Sequence, residues 1–211
     1  MSGGIAPEAV ERLCDAANRC DAVLVGPGMM DDEAVANLTM KLIGGCNRPA
    51  FVLDAAALPG SLDVSESLRA QAGRVVLTPH AGEMAKLLGL PRDEVIDDPE
   101  GSARRAAASF QCVVALKGAV THIVSPQGEA WSFTDGQVGL ATSGSGDTLA
   151  GIITGLLARG TTPLNAALWG VYLHGEAGNR LTRSYAPLGY LARELLFEIP
   201  RVMSEFGNRS T

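Results

Sequence analysis

Short apolar segments alternate with amphipathic segments along the first half of the chain, and this alternation limits the possible folds more than any other feature. Four apolar runs have the length of buried strands, at residues 21–25, 50–54, 74–77 and 112–116. Helical patterns separate them, at residues 31–43, 81–89 and 99–110. Buried strands that alternate with helices are typical of a mainly parallel sheet with helices on both faces.

The rest of the chain extends this α/β pattern. Residues 121–124 and 130–133 flank a Pro-Gln-Gly turn, which predicts an antiparallel hairpin at one edge of the sheet. Further helices are predicted at residues 8–19, directly after Asp147, and at residues 164–183 and 189–204. The helix after Asp147 carries the apolar stripe of a core-facing helix, formed by Leu149, Ile152, Ile153, Leu156 and Leu157. We expect a single α/β domain over residues 1–211.

The charge balance argues against two classes of partner. Lys and Arg total 17 and Asp and Glu total 23, which gives a net charge of −6 without a basic cluster. We therefore expect neither nucleic acid nor an anionic membrane surface as a partner. No stretch of the chain approaches the roughly 18 apolar residues that a membrane-spanning helix needs.

The cysteines and the first residues predict the compartment. The four cysteines, at positions 14, 20, 46 and 112, form no Cys-x-x-Cys pair and have no histidine at metal-binding spacing. This pattern is typical of free thiols in a reducing compartment. Residues 1–11 contain two glutamates and no apolar core, unlike a signal peptide. We expect a soluble cytoplasmic protein.

Glycines and polar side chains follow each predicted strand. Ligands of open parallel sheets bind beyond the carboxyl ends of the strands, so these segments form the candidate site. They are the Gly-Pro-Gly motif at residues 26–28, Asp54, and residues 78–83, 117–118 and 143–147.

The loop at residues 141–147 opens directly into an apolar helix. Its glycines let the backbone approach a ligand, and the first amides of a helix have no partner within it. The loop therefore predicts a site for an anion such as a phosphate. Asp147 lies in the same turn, where a carboxylate could act as general base on a substrate hydroxyl. The alternative is that Asp147 caps its own helix.

Three other side chains have both a functional and a structural interpretation. Lys117 could neutralise a nucleotide phosphate, or be a surface lysine at a strand end. Glu83, three residues after His80, could hold metal-bound water near a phosphate, or be an acidic residue at a helix N-terminus. His174 lies on or beside the apolar face of its helix, where we favour a packed core histidine over a catalytic one.

Several motifs of the chain also occur together in one known family. They are Gly26-Pro-Gly28, Thr78-Pro-His80-Ala-Gly-Glu83, Ala115-Leu-Lys117-Gly118-Ala119-Val120-Thr121, Gly144-Ser-Gly-Asp147 and Val171-Tyr-Leu-His174-Gly175. With these motifs the chain resembles the ADP- or ATP-dependent NAD(P)H-hydrate dehydratases of the ribokinase-like superfamily, over roughly residues 21–203. The Gly-Ser-Gly-Asp loop alone indicates the superfamily, and its combination with the other motifs indicates the family.

This resemblance implies a ribokinase-like fold and a repair reaction. The hydroxyl of hydrated NADH or NADPH would be phosphorylated at the expense of ADP or ATP, and phosphate would then leave by elimination. Asp147 would be the catalytic base, and the amides of residues 144–147 would stabilise the transferring phosphoryl group. The residues that would bind the nucleotide are Lys117, Gly118, Ala119, Val120, Thr121, Gly144, Ser145 and Gly146.

On the substrate side, the resemblance implies that Gly28 and His80 contact the hydrated dinucleotide together with Asp147. It also implies that Glu83 organises Mg²⁺ through water. The chain departs from the family pattern at three positions, where the family usually has Gly, Asp and Pro and this chain has Met30, Ala56 and Ala81.

The family also carries additional strands before the segment that matches Asp21, whereas 20 residues precede Asp21 in this sequence. The resemblance therefore implies an exposed sheet edge. Because an open edge favours pairing with another chain, we expect a homo-oligomer.

Two other functions fit the same residues. The chain could be a small-molecule kinase of the same superfamily that acts on a vitamin-precursor alcohol, or it could bind an adenine nucleotide without turnover. The Pro-His-x-Gly-Glu and Lys-Gly-Ala-x-Thr motifs favour the dehydratase over the kinase.

Overall fold

A single mixed sheet of six strands, in chain order, is the centre of the computed structural model, which describes residues 9–58, 65–71 and 73–207. The strands are β1 (Ala22–Val25), β2 (Ala50–Leu53), β3 (Val75–Leu77), β4 (Val113–Leu116), β5 (Thr121–Val124) and β6 (Ala130–Phe133). The first four are parallel to their neighbours, and β5 and β6 continue the sheet in antiparallel pairing. The predicted mainly parallel sheet is confirmed, and the hairpin has the predicted bounds.

Helices cover both faces of this sheet. In the described part of the chain they are α1 (Val10–Ala17), α2 (Asp32–Gly45), α3 (Ser65–Arg69), α4 (Ala81–Leu88), α5 (Arg92–Asp97), α6 (Pro99–Phe110), α7 (Ser145–Ala158), α8 (Pro163–Ser184) and α9 (Ala192–Gly207). Single 3₁₀ turns lie at Ala55–Ala57 and Val138–Ala141. Glu8, the predicted start of the first helix, lies outside the described residues. Within the described ranges, no helix is both long and apolar enough to span a bilayer.

Alternate side chains of each strand pack into two separate cores. Phe51 and Leu53 point into the core under α2, α4 and α6, and the intervening Val52 points into the core under α7 and α8. The apolar stripe predicted on α7 faces this second core, in which its residues Leu149, Ile153 and Leu157 are buried. A buried parallel strand is apolar on both faces because each face meets its own layer of helices.

The carboxyl ends of β1 to β4 lie at one edge of the sheet, as parallel pairing requires. Gly26 follows β1 with φ of 121°. A Cβ at this position would overlap the backbone oxygen of Asp54, which follows β2. A bridge between His80 and Lys117 extends the β3–β4 pairing beyond the two strands. The polar segments that the sequence places after the strands are therefore neighbours in space.

The contact between α7 and α8 gives a test of the second core. Gly170 of α8 lies against Ile153, and a Cβ at Gly170 would overlap the Ile153 side chain. We expect Gly170→Ala to lower the free energy of unfolding by about 1–3 kcal/mol, as overpacked core positions do.

The matched control is Gly155, an exposed glycine of α7 whose Cβ would meet open space. Gly155→Ala is expected to raise the free energy of unfolding by about 0.5–1 kcal/mol, because alanine loses less backbone entropy in a helix. Denaturant midpoints of both variants measure the two shifts, and equal stability of the two variants would contradict this packing.

Candidate active site

The N-terminus of α7 presents backbone amides that have no partner among the described residues. Gly144 precedes the helix with φ of 82° and supplies no side-chain cap. The amide of Ser145 donates to the backbone oxygen of Thr142 at 3.2 Å, whereas the amides of Gly146 and Asp147 donate to no described group. Free amides and the positive end of the helix dipole together form a site for an anion.

The Lys117 side chain lies directly against this helix end. A Cβ on Gly146 would be 3.3 Å from the Lys117 ammonium. The ammonium is 2.6 Å from Oδ1 of Asp54 and 4.0 Å from Oε2 of Glu83. With 20% of its side chain exposed, Lys117 is not the surface lysine of the alternative interpretation. Its charge and the helix dipole reinforce each other, so an anion is attracted by both.

Asp54 holds the lysine in place. Its side chain is 2% exposed, and Oδ1 accepts hydrogen bonds from Lys117 and, at 2.8 Å, from the Thr78 hydroxyl. A buried carboxylate needs such partners because its desolvation is costly. Asp54 therefore both depends on Lys117 and fixes the direction of its ammonium.

His80 and Glu83 form a capping box at the start of α4. Nδ1 of His80 accepts from the amides of Gly82 and Glu83 at 3.0 and 3.1 Å, and Oε2 of Glu83 accepts from the His80 amide at 2.7 Å. Because Nδ1 accepts, the neutral ring carries its hydrogen on Nε2, which lies 3.4 Å from Oε1 of Glu83. His80 thus presents a hydrogen-bond donor, and Glu83 has the helix-N-terminal role of the alternative interpretation.

Two cavities meet at His80. The first, of about 750 Å³, is lined by six of the predicted nucleotide-binding residues, namely Lys117, Gly118, Ala119, Thr121, Ser145 and Gly146. The second, of about 720 Å³, is lined by residues that include Met29, Ala56, His80 and Glu83. Both volumes lie in the range of small-molecule sites.

Four predicted site residues line neither cavity, namely Gly28, Val120, Gly144 and Asp147. Gly28 and Val120 adjoin the lining residues Met29 and Ala119. Asp147 is exposed in the first turn of α7. Among the described residues its carboxylate caps no amide of the helix, so the cap alternative has no support in the structure.

The segment between β6 and α7 forms a wall of the first cavity that the motifs do not indicate. Gln137, Val138, Leu140 and Ala141 line it together with Phe133. Val138 is 66% exposed. The only signal for this wall in the sequence is its position directly before the glycine-rich loop.

The donor set does not fit a magnesium ion coordinated directly by protein. Within the described residues, no group of three His, Cys, Asp or Glu side chains could hold a metal. Oε2 of Glu83 is already bonded to the His80 amide, and Oδ1 of Asp54 to Lys117. Magnesium commonly keeps several waters and binds through substrate phosphates, so only an indirect protein contact remains compatible with this site.

His174 of α8 contacts the anion site. Its Nε2 lies 2.9 Å from the Ser145 hydroxyl and 3.1 Å from the Ser145 backbone oxygen. The pKa of His174 is lowered from 6.5 to about 4, chiefly because the ring is buried; the bond to the Ser145 backbone opposes this shift, and the Lys117 charge adds a smaller lowering. The ring is therefore neutral at neutral pH.

This depressed pKa predicts a pH-dependent stability. Between pH 6.5 and about 4 the unfolded chain binds a proton at His174 and the folded chain does not. The free energy of unfolding should therefore fall as the pH is lowered through this range. Denaturant titrations of the wild type and of His174→Gln across this range measure the effect, and the variant should show a smaller dependence. Parallel curves would contradict the assignment.

Comparison with known proteins supports one family. The family profile of NAD(P)H-hydrate dehydratases matches residues 5–201. An ADP-dependent (S)-NAD(P)H-hydrate dehydratase of Xanthomonas campestris is 44% identical over 91% of this chain and 65% of its own length. The chain thus spans less than two thirds of this relative.

Solved structures give the same result. The ADP/ATP-dependent NAD(P)H-hydrate dehydratase of Bacillus subtilis, co-crystallised with ATP and Mg²⁺, superposes with a TM-score of 0.77 at 32% identity, over 92% of this chain and 69% of that one. A ribokinase-like superfamily protein of Enterococcus faecalis superposes with a TM-score of 0.76 at 26% identity, over 94% and 68%. The fold is ribokinase-like, as the motifs imply, and the chain belongs to the NAD(P)H-hydrate dehydratase family.

Proposed function

We propose that the chain repairs hydrated NADH or NADPH in a reaction that consumes ADP or ATP. The observation that carries this proposal is the anion site, in which free amides of Gly146 and Asp147 lie beside the Lys117 ammonium at the rim of a cavity of nucleotide-binding size. The adjoining second cavity supplies room for another substrate. The names of the relatives support the choice of reaction.

The first cavity is the proposed nucleotide site. The segment from Lys117 to Thr121 would form one side of it and Gly144 to Gly146 the other. Lys117 would pair with a phosphate as a point charge, in exchange for part of its contact with Asp54. The amides of α7 would donate to the equatorial oxygens of the transferring phosphoryl group, over which negative charge is spread in the transition state.

The second cavity is the proposed site of the hydrated dinucleotide. Nε2–H of His80, which the capping box fixes as a donor, could bind an oxygen of this substrate, and Gly28 would contact it beside Met29. Asp147 would accept the proton of the ring hydroxyl as its oxygen bonds to phosphorus and the bond to the nucleotide breaks. Phosphate would then leave with the ring oxygen, and loss of a proton from the neighbouring carbon would restore the double bond.

Glu83 is the proposed outer contact of Mg²⁺. A bound magnesium ion would neutralise phosphate charge. Oε2 of Glu83 accepts from the His80 amide, whereas Oε1 has only a 3.4 Å contact with Nε2 of His80, so Oε1 could hold a magnesium-bound water. No step of the reaction is assigned to this contact.

Product analysis tests the function. The chain is incubated with hydrated NADH and either ADP or ATP, and the products are separated chromatographically. Intact NADH with released phosphate supports the proposal. A stable phosphorylated alcohol from another substrate would identify a kinase, and nucleotide binding without turnover would identify a non-catalytic protein; either result would contradict the repair reaction.

We also propose that the chain acts in the cytoplasm, since its four cysteines are free thiols, and that it forms one domain, because a single sheet carries a core on each face. We expect association into a homo-oligomer, since β1 lies at an end of the described strand order and an open edge favours pairing. Light scattering at micromolar concentration measures this. A mass of one chain, 21.9 kDa, would refute the expected association.

A further inference from the structure

The contact between His174 and Ser145 determines which ring nitrogen of the neutral His174 carries the hydrogen. Nε2 of His174 lies 3.1 Å from the Ser145 backbone oxygen, which can only accept. The contact is attractive only if Nε2 carries a hydrogen. The same nitrogen lies 2.9 Å from the Ser145 hydroxyl. His174 therefore donates toward both oxygens of Ser145.

This arrangement leaves the hydroxyl hydrogen of Ser145 without a described acceptor. Ser145 is 4% exposed and lines the first cavity, as His174 does. Its hydroxyl oxygen accepts from His174, so its own hydrogen is available for a further acceptor. The adjoining amides of Gly146 and Asp147 and the Lys117 ammonium are also donors, and together these four groups suit a phosphate.

We propose that His174 is a positioning residue, whose Nε2–H holds Ser145 so that the Ser145 hydroxyl donates to a phosphate oxygen of the bound nucleotide. The inference rests on the nucleotide site proposed above. The sequence pattern favours a packed core histidine at this position of α8. The inference assigns the same residue a role in the nucleotide site. In this proposal His174 acts through Ser145, whose hydroxyl makes the contact with the nucleotide.

Four variants test this role by calorimetric ADP titration. Ser145→Ala removes the hydroxyl, His174→Leu removes the ring donor, His174→Gln retains a side-chain N–H donor, and the fourth variant combines Ser145→Ala with His174→Leu. We expect Ser145→Ala and His174→Leu each to weaken ADP binding roughly tenfold, the usual effect of one hydrogen bond to a charged group. The double variant should be no weaker than Ser145→Ala, because His174 acts through that hydroxyl.

Conservative rescue separates positioning from packing. His174→Gln should bind ADP within about threefold of the wild type. Effects that multiply in the double variant, or unchanged affinity in His174→Leu, would overturn the proposal. If His174→Leu fails to fold by circular dichroism, Ser145→Ala with wild-type affinity would overturn it equally.

The ring nitrogens give an independent readout. In ¹⁵N spectra of the wild-type chain at neutral pH, we expect the His174 hydrogen on Nε2, and a hydrogen on Nδ1 would contradict the geometry. A wild-type chain that binds neither ADP nor ATP would overturn the nucleotide site and this proposal together. A wild type that binds nucleotide, with variants of equal affinity, would overturn only the role of His174.

Discussion

Replacing Asp147 by asparagine is expected to lower turnover by about 10²–10⁴, the span of a lost general base. The substrate hydroxyl is a poor nucleophile while it keeps its proton, and asparagine cannot accept that proton. Melting temperature and ADP affinity should change little, since the carboxylate makes no cap bond in the described structure and the amides of α7 remain. The measurement is the rate of phosphate release beside the melting temperature.

Asp98 supplies a matched control for Asp147. Its side chain caps α6 by accepting from the Gly101 amide at 2.9 Å. Asp98→Ala should therefore lose about 0.5–2 kcal/mol of stability and keep its turnover. If Asp147→Asn instead loses stability and turns over normally, Asp147 is a structural residue and the proposed chemistry loses its base.

Replacing Lys117 by methionine is expected to have two separable effects. ADP binding should weaken by about 1–3 kcal/mol, because a charged hydrogen-bond donor to phosphate is lost. Stability should fall by about 3 kcal/mol, since Asp54 is 2% exposed and would keep only uncharged partners. Calorimetric titration and denaturant midpoints measure the two effects.

A second substitution at Asp54 separates them. In the Lys117→Met, Asp54→Asn double variant the buried charge is gone, so most of the stability should return. ADP affinity should stay low, because the ammonium is still missing. Unchanged ADP affinity in Lys117→Met would place the phosphates elsewhere, and a stable single variant would contradict the buried pair.

The sheet could be predicted because its strands are apolar on both faces. Runs such as 50–54 and 112–116 differ from observed β2 and β4 by a single residue at an end. α5 was not predicted because four of its six residues are charged and only Val95 is buried, so no apolar stripe marks it. α9 begins at Ala192 and not at the predicted Gly189, because Gly189 has φ of 99°, which lies outside the right-handed helical region.

The candidate site was predictable as a set of segments but not as a set of contacts. Parallel pairing brings the carboxyl ends of β1 to β4 to one edge, whatever the side chains are. The pair of Lys117 and Asp54 joins residues 63 positions apart and depends on strand order. The contact of His174 with Ser145 depends on how α8 packs on α7, which no local pattern in the sequence records.

The most direct test of the repair reaction is its stoichiometry in the wild-type chain. Hydrated NADH and ADP are mixed with the chain, and NADH, AMP and phosphate are quantified over time. The proposed sequence of phosphorylation and elimination predicts equal amounts of all three, with no NADH formed when nucleotide is left out. NADH that forms at the same rate without nucleotide, or a phosphorylated product that accumulates without NADH, would contradict it.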